Sequence, residues 1–223
     1  MFFQTDHLYH IYNQGNNRQK IFFSRNNYLF FLKKIQTYIL PYSDLLAWCL
    51  MPNHFHLMVY VRSEGLIQRN GKIRSFNDSI GIMLRSYARA VNKEVVRTGC
   101  LFREETKAAC LTEPKQIKNS WYNNGGIKEV ILENPDVGYP NICFNYILLN
   151  PVRAGLVHSP QDWEFSSFSE FIGEKLTTML NPGKIAEFEL KFLQLDGVTK
   201  SHPVRRDIIN RPKKKNSISP KFC

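Results

Sequence analysis

The sequence predicts an α+β fold, a single antiparallel sheet with helices against one face, in the order βαββαβ. Three observations carry that prediction. Four segments rich in β-branched and aromatic residues alternate with segments whose apolar residues recur at helical spacing. The second and third strand segments are separated only by Met51-Pro52-Asn53, a connection short enough for a hairpin. A chain that is 43% hydrophobic and 13% aromatic over 223 residues can bury a substantial core.

The first strand is "HLYHIYN", His7 to Asn13, ending at the Gly/Asn-rich loop "QGNNRQ". Ser24 can cap a helix that runs to about Ile39, with Leu29, Phe31, Leu32, Ile35 and Ile39 as its apolar stripe and Pro41 as its stop. "DLLAWCL" and "HFHLMVYV" are the paired strands. "SEGLIQRNGKIRS", residues 63–75, is polar and contains Gly, and reads as a loop. Ile80, Met83, Leu84, Tyr87, Ala88 and Val91 then fall at i, i+3, i+4, i+7, i+8 and i+11, one face of a second helix. Lys107 to Leu111 is the fourth strand. This order is ferredoxin-like and leaves the second face of the sheet available for a ligand.

Residues 113–138 read as a short helix, a Gly-Gly break and another helix. From Pro140 a helix runs to Pro151. The expected organisation is a principal domain over 1–175, a helical extension over 176–197 and a basic tail over 198–223. Between Arg205 and Lys221 that tail carries seven Lys/Arg against the single acid Asp207.

A formal net charge of +11 points to a polyanionic partner, nucleic acid before an anionic membrane surface. No apolar run approaches the roughly 20 residues of a membrane span. The start of the chain lacks the features of a signal peptide. Five scattered cysteines without a C-x-x-C pair make neither a disulfide framework nor a zinc ribbon, and a cytoplasmic protein with reduced thiols is expected.

His54 and His56 are alternate residues of one strand, so both imidazoles project from the same face while Phe55 and Leu57 turn to the other. Such a pair can share a divalent ion, although surface or hydrogen-bonding histidines give the same pattern. Tyr146 and Asn150 are four apart on the last helix and share a face. Asn150 offers a neutral amide oxygen suited to a hard cation; taken alone, the pair reads first as a core-facing Tyr and a helix-end Asn before Pro151. No carboxylate stands beside the histidines and no H-E-x-x-H is present, which excludes a zinc hydrolase of that type.

Taken together, "AWCLMPNHFHLMVYV" and "NYILLNPVRAGLV" resemble the HUH-superfamily single-tyrosine transposases, and most nearly the REP-associated tyrosine transposase branch. "HIYNQGNNRQKIF", "GCLFREETKAACL" and "DWEFSSFSEFIG" extend the resemblance to about residues 7–173. The resemblance implies an HUH endonuclease-type sheet with a tyrosine-bearing helix at about 140–150, and an enzyme that nicks single-stranded DNA and transfers the strand. It implies Tyr146 as nucleophile through a 5′-phosphotyrosine intermediate, with His54, His56 and Asn150 as ligands of Mg²⁺ or Mn²⁺. It further implies a single-stranded DNA substrate with hairpin elements, and action as a monomer or homodimer. Candidate DNA contacts are Gln14, Asn16, Asn17 and Arg18 in the first loop, and Arg62, Arg85, Arg89, Arg103 and Lys107 on the phosphate backbone. The alternative is a non-catalytic ferredoxin-like nucleic-acid-binding protein.

Overall fold

A computed structural model describes residues 1–113, 138–174 and 179–193. The readings made for 114–137 and for the basic tail lie outside the described residues. Four strands, β1 (Leu8–Gln14), β2 (Ser43–Met51), β3 (His54–Val61) and β6 (Lys107–Cys110), form one antiparallel sheet in the spatial order β2-β3-β1-β6. Helix α1 (Arg25–Tyr38) links β1 to β2, and α2 (Phe76–Glu94) precedes β6. This is the expected βαββαβ arrangement.

Helix α1 begins where Ser24 and Asn27 cap each other reciprocally. Its buried face is Tyr28, Phe31, Ile35 and the capping Ile39. Leu29 and Leu32, assigned to the stripe from sequence, are only half-buried, a rotation of about one position. Helix α2 is capped by Ser75, whose hydroxyl accepts from the Asp78 N–H, and it buries Ile80, Met83, Leu84, Tyr87 and Val91 as the spacing predicts. Both helices pack on the sheet face that carries Phe55: the Phe31 ring lies 5.1 Å from Phe55 and 4.9 Å from Tyr87. Phe102 is buried in the same aromatic cluster.

Three features differ from the sequence reading. Residues 63–75 are not a plain loop but contain a small hairpin, β4 (Gly65–Ile67) and β5 (Ile73–Ser75), closed around Asn70-Gly71 with Gly71 at φ +76°. The Asn-Gly pair is the turn signal, hidden by so few apolar residues. Helix α3 (Tyr139–Arg153) passes through Pro151 instead of ending there. The missing N–H costs one hydrogen bond in the last turn, which is then closed by Gly155 at φ +67°. Leu156 N–H donates to the Pro151 carbonyl and Gly155 N–H to the Val152 carbonyl.

The second sheet face is also not wholly open, because α3 packs across β2 and β3 and its Tyr146 ring reaches His10 of β1. Residues 165–167 run along the outer edge of β2, with Leu50 N–H donating to the Phe165 carbonyl and Ser167 N–H to the Trp48 carbonyl. That covers an edge otherwise free to pair with another chain. Two short helices, α4 (Phe168–Phe171) and α5 (Pro182–Glu187), follow, and the second lies within the predicted helical extension.

Candidate active site

The two-residue turn Pro52-Asn53 sets the position of His54, the first residue of β3. In the sheet His54 stands opposite Gln14 and Met51, and His56 opposite Tyr12 and Cys49. Alternation therefore turns His54 and His56 away from the α1/α2 core and toward α3. Two consecutive turns of α3 present Tyr146 and Asn150 to them. The Tyr146 ring lies edge-on to His56, centroids 5.2 Å apart, and the His54 and His56 rings are 5.0 Å apart. His54 Nε2 is 3.2 Å from Asn150 Oδ1. All four residues meet within one chain.

Hydrogen bonds fix the orientation of this cluster. Asn53 Nδ2 donates to the Arg18 carbonyl at 3.3 Å, which leaves Asn53 Oδ1 facing His54 Nδ1 at 2.6 Å. An amide oxygen can only accept, so His54 carries its hydrogen on Nδ1 and its Nε2 presents a lone pair. On the neighbouring strand His10 Nε2 lies 2.9 Å from His56 Nδ1, with the rings stacked, and His56 Nε2 is buried without a hydrogen-bond partner.

Burial dominates the electrostatics. It holds His54 below the ordinary histidine range, opposed by its contact with Asn150, and holds His56 well below it, helped by the neighbouring His10 and His54. His10 is pushed down to about 3 by burial alone. All three imidazoles are neutral near pH 7. Burial also raises Tyr146, while a hydrogen bond from Asn150 and the nearby Arg153 guanidinium, 5.9 Å from the ring centre, act in the opposite direction. Asn150 thus faces two ways, its oxygen toward His54 and its amide toward the phenol.

These residues fit a divalent cation. His54 Nε2 and Asn150 Oδ1 are two lone-pair donors at the separation of adjacent ligands on an octahedral ion, about 3 Å for bonds of about 2.1 Å. The buried Nε2 of His56, without a hydrogen-bond partner, would be the third donor. Among the described residues no group of three His, Cys, Asp or Glu side chains is placed to hold a metal, so the amide is integral to this set. All three donors are uncharged. Mixed imidazole and amide donors suit Mn²⁺ better than Mg²⁺, which favours oxygen alone.

The candidate DNA contacts divide. Gln14 is opposite His54, Asn16–Arg18 form a single 3₁₀ turn immediately after Gly15, and Arg103 donates its backbone N–H to the Gln14 carbonyl. Lys107 is opposite Tyr12 and ion-pairs with Glu105. These lie at the histidine end of the sheet. Arg62 follows the far end of β3, paired with Asp44 and donating to the Leu40 carbonyl, and Arg85 and Arg89 are exposed on α2, which covers the opposite sheet face. The structure does not bring these three to the cluster.

Sequence reasoning missed His10, Tyr12, Asn53 and Arg153. The signal for the first two was available: His10, Tyr12 and Gln14 alternate along β1 just as His54 and His56 do along β3, which places all five on one face.

No protein-family model matches the sequence, and no curated protein matches it. Among solved structures, a REP-associated tyrosine transposase bound to a REP hairpin aligns with a TM-score of 0.51 at 14% identity, over 80% of this chain and 87% of that one. This chain shares the fold of that transposase. A bacterial tRNA(His) guanylyltransferase-like protein in complex with GTP aligns with a TM-score of 0.32 at 7% identity, over 65% of this chain and 68% of that one, too low to carry an argument. Among the described residues no helix is long and apolar enough to cross a membrane.

Proposed function

We propose that this protein is a cation-dependent nickase and strand transferase of single-stranded DNA, acting through Tyr146. The observation that carries the reading is the meeting, within a single chain, of the Tyr146 phenol, the His54/His56 pair and Asn150. Neutral imidazoles and an amide oxygen are ready ligands, with no proton to lose first. When bound, Mg²⁺ or Mn²⁺ would polarise a phosphodiester and neutralise charge developing on its oxygens.

The chain's own residues do the rest. Tyr146 Oη attacks phosphorus, the P–O3′ bond breaks, the phenol loses its proton and the departing 3′-oxygen gains one. The products are a 5′-phosphotyrosyl enzyme and a 3′-hydroxyl. A hydrogen bond from Asn150 and the Arg153 charge both stabilise negative charge on the phenol oxygen, which burial otherwise disfavours. Attack by a second 3′-hydroxyl reverses the step and completes strand transfer without ATP.

The substrate read here is DNA with hairpin elements, entering over the β1 and β6 side of the sheet, where Gln14, Asn16, Asn17, Arg18, Arg103 and Lys107 gather. A site complete in one chain supports action as a monomer. The working compartment is the cytoplasm, with the DNA.

The test is incubation with single-stranded hairpin oligonucleotides and Mn²⁺ or Mg²⁺, followed by denaturing electrophoresis. A covalent protein–DNA adduct is expected, absent in Tyr146→Phe and on chelation. Equal adduct in the Phe variant rules out Tyr146 as nucleophile; binding without cleavage across a hairpin library makes the protein a non-catalytic DNA binder.

A further inference from the structure

His10 belongs to neither the core proper nor the four-residue cluster, yet it is only 1% exposed and touches His56 and Tyr146. A second buried imidazole beside a ligand imidazole has a physical consequence. A neutral histidine carries one ring hydrogen, and whichever nitrogen holds it cannot bind a cation. Free imidazole side chains favour the hydrogen on Nε2. For His56 that is the wrong place, because Nδ1 faces His10 and Nε2 is the buried nitrogen without a hydrogen-bond partner.

We propose that His10 is a positioning residue: its Nε2 accepts a hydrogen bond from His56 Nδ1–H, holding His56 in the tautomer whose Nε2 lone pair is free for a divalent cation. Two considerations support this bond and its direction. His10 Nε2 lies 2.9 Å from His56 Nδ1, within hydrogen-bond reach. His54 is treated identically by Asn53, whose oxygen can only accept from Nδ1–H. Each ligand imidazole thus has its Nδ1 hydrogen held by a neighbour and its Nε2 directed into the cluster. The reverse bond would spend the His56 Nδ1 lone pair on His10 and put the hydrogen of neutral His56 on Nε2, the nitrogen a cation would need. His10 therefore does for one ligand what Asn53 does for the other, from a different strand.

The inference rests on the cation reading above, and its experiment separates the two. Long-range ¹⁵N NMR of the metal-free protein reads the tautomer of His56 directly, with no metal and no activity involved. Hydrogen on Nδ1 is expected; hydrogen on Nε2 overturns the proposal. Mn²⁺ titration, by calorimetry or electron paramagnetic resonance, is then compared in three proteins. His10→Leu keeps bulk but removes the acceptor, and its Mn²⁺ affinity is expected to fall by roughly 10- to 100-fold. His10→Gln places an amide oxygen near the same point and is expected to restore most of it. Equal affinity in His10→Leu, or a His10→Gln as impaired as His10→Leu, overturns the proposal. Urea midpoints show whether the variants fold; if His10→Leu does not, the tautomer in the unaltered protein still decides. An unaltered protein that binds no Mn²⁺, with or without hairpin DNA, defeats the cation reading and leaves the tautomer result standing on its own.

Discussion

Gly15 joins the first loop to the candidate site, and Gly15→Ala is expected to damage both. A Cβ at this position would sit 2.1 Å from the Gln19 backbone oxygen and 3.1 Å from Ile21 Cγ2. The first contact is 0.9 Å inside the 3.0 Å that real Cβ atoms respect, and a backbone oxygen cannot swing aside. Relief requires the turn to open, breaking the bonds from Arg18 N–H to the Gly15 carbonyl and from Gln19 N–H to the Asn16 carbonyl. At about 1 kcal/mol net each, plus residual strain, the cost is about 2–4 kcal/mol. For a chain of this size that lowers the melting temperature by roughly 4–15 °C. Gly15 N–H also donates to the Asn53 carbonyl, and Asn53 orients His54, so Mn²⁺ affinity is expected to fall even where the protein remains folded. Urea unfolding at constant m-value measures the first effect and Mn²⁺ titration the second. A change below about 0.5 kcal/mol, the usual range of a surface substitution, refutes the tightness of this turn.

Arg18 stands at φ +57°, so Arg18→Gly relieves left-handed strain of about 1 kcal/mol but adds unfolded-chain entropy of similar size. Stability within about 0.5 kcal/mol of the parent is expected in urea titration, together with weaker hairpin binding and a shallower salt dependence; unchanged binding removes Arg18 from the DNA surface. Acid is expected to destabilise the fold: the unfolded chain protonates His10 below about pH 6.5, whereas the folded chain resists to about 3, so stability present at neutral pH declines on acidification by at most ~1.4 kcal/mol per pH unit. Urea midpoints at pH 7 and pH 5 check this, with a smaller loss expected in His10→Gln; equal losses contradict it. Because the three donors are uncharged, hairpin DNA is expected to raise Mn²⁺ affinity by about 10-fold or more, and Mn²⁺ to raise DNA affinity by the same factor. Calorimetric titrations showing independent binding count against a phosphate at the cation.

Most of the sheet was legible because each strand carries its own period and turn. His54, Phe55, His56 and Leu57 declare two faces at once, and Met51-Pro52-Asn53 leaves room only for a hairpin. The 65–75 hairpin was not legible, since Ile67 and Ile73 are exposed and no apolar face announces it. Pro151 misled for a different reason: the rule that proline ends a helix concerns an interior hydrogen bond, and in the last turn only one is at stake. Half of the candidate site was legible as residue types at fixed spacing. The other half, Asn53 and His10, acts only through contacts that fold the chain back on itself, Asn53 to Arg18 over 35 residues and His10 to His56 over 46.

The charge balance of the site limits what it can do alone. His54, His56 and Asn150 contribute no negative charge, and the positive Arg153 guanidinium lies 5.9 Å from the centre of the Tyr146 ring. A dication in such a site keeps its full charge, binds weakly by itself and seeks an anion. A phosphodiester is an anion of the right kind. The same arithmetic explains why the phenol can remain protonated at rest: burial holds it so, and the groups that would favour its anion, Asn150 and Arg153, are joined by a compensating positive charge only when cation and DNA are both in place. On the proposed function, nucleophile activation and substrate binding would be one event, and Tyr146 would not react before DNA is in place.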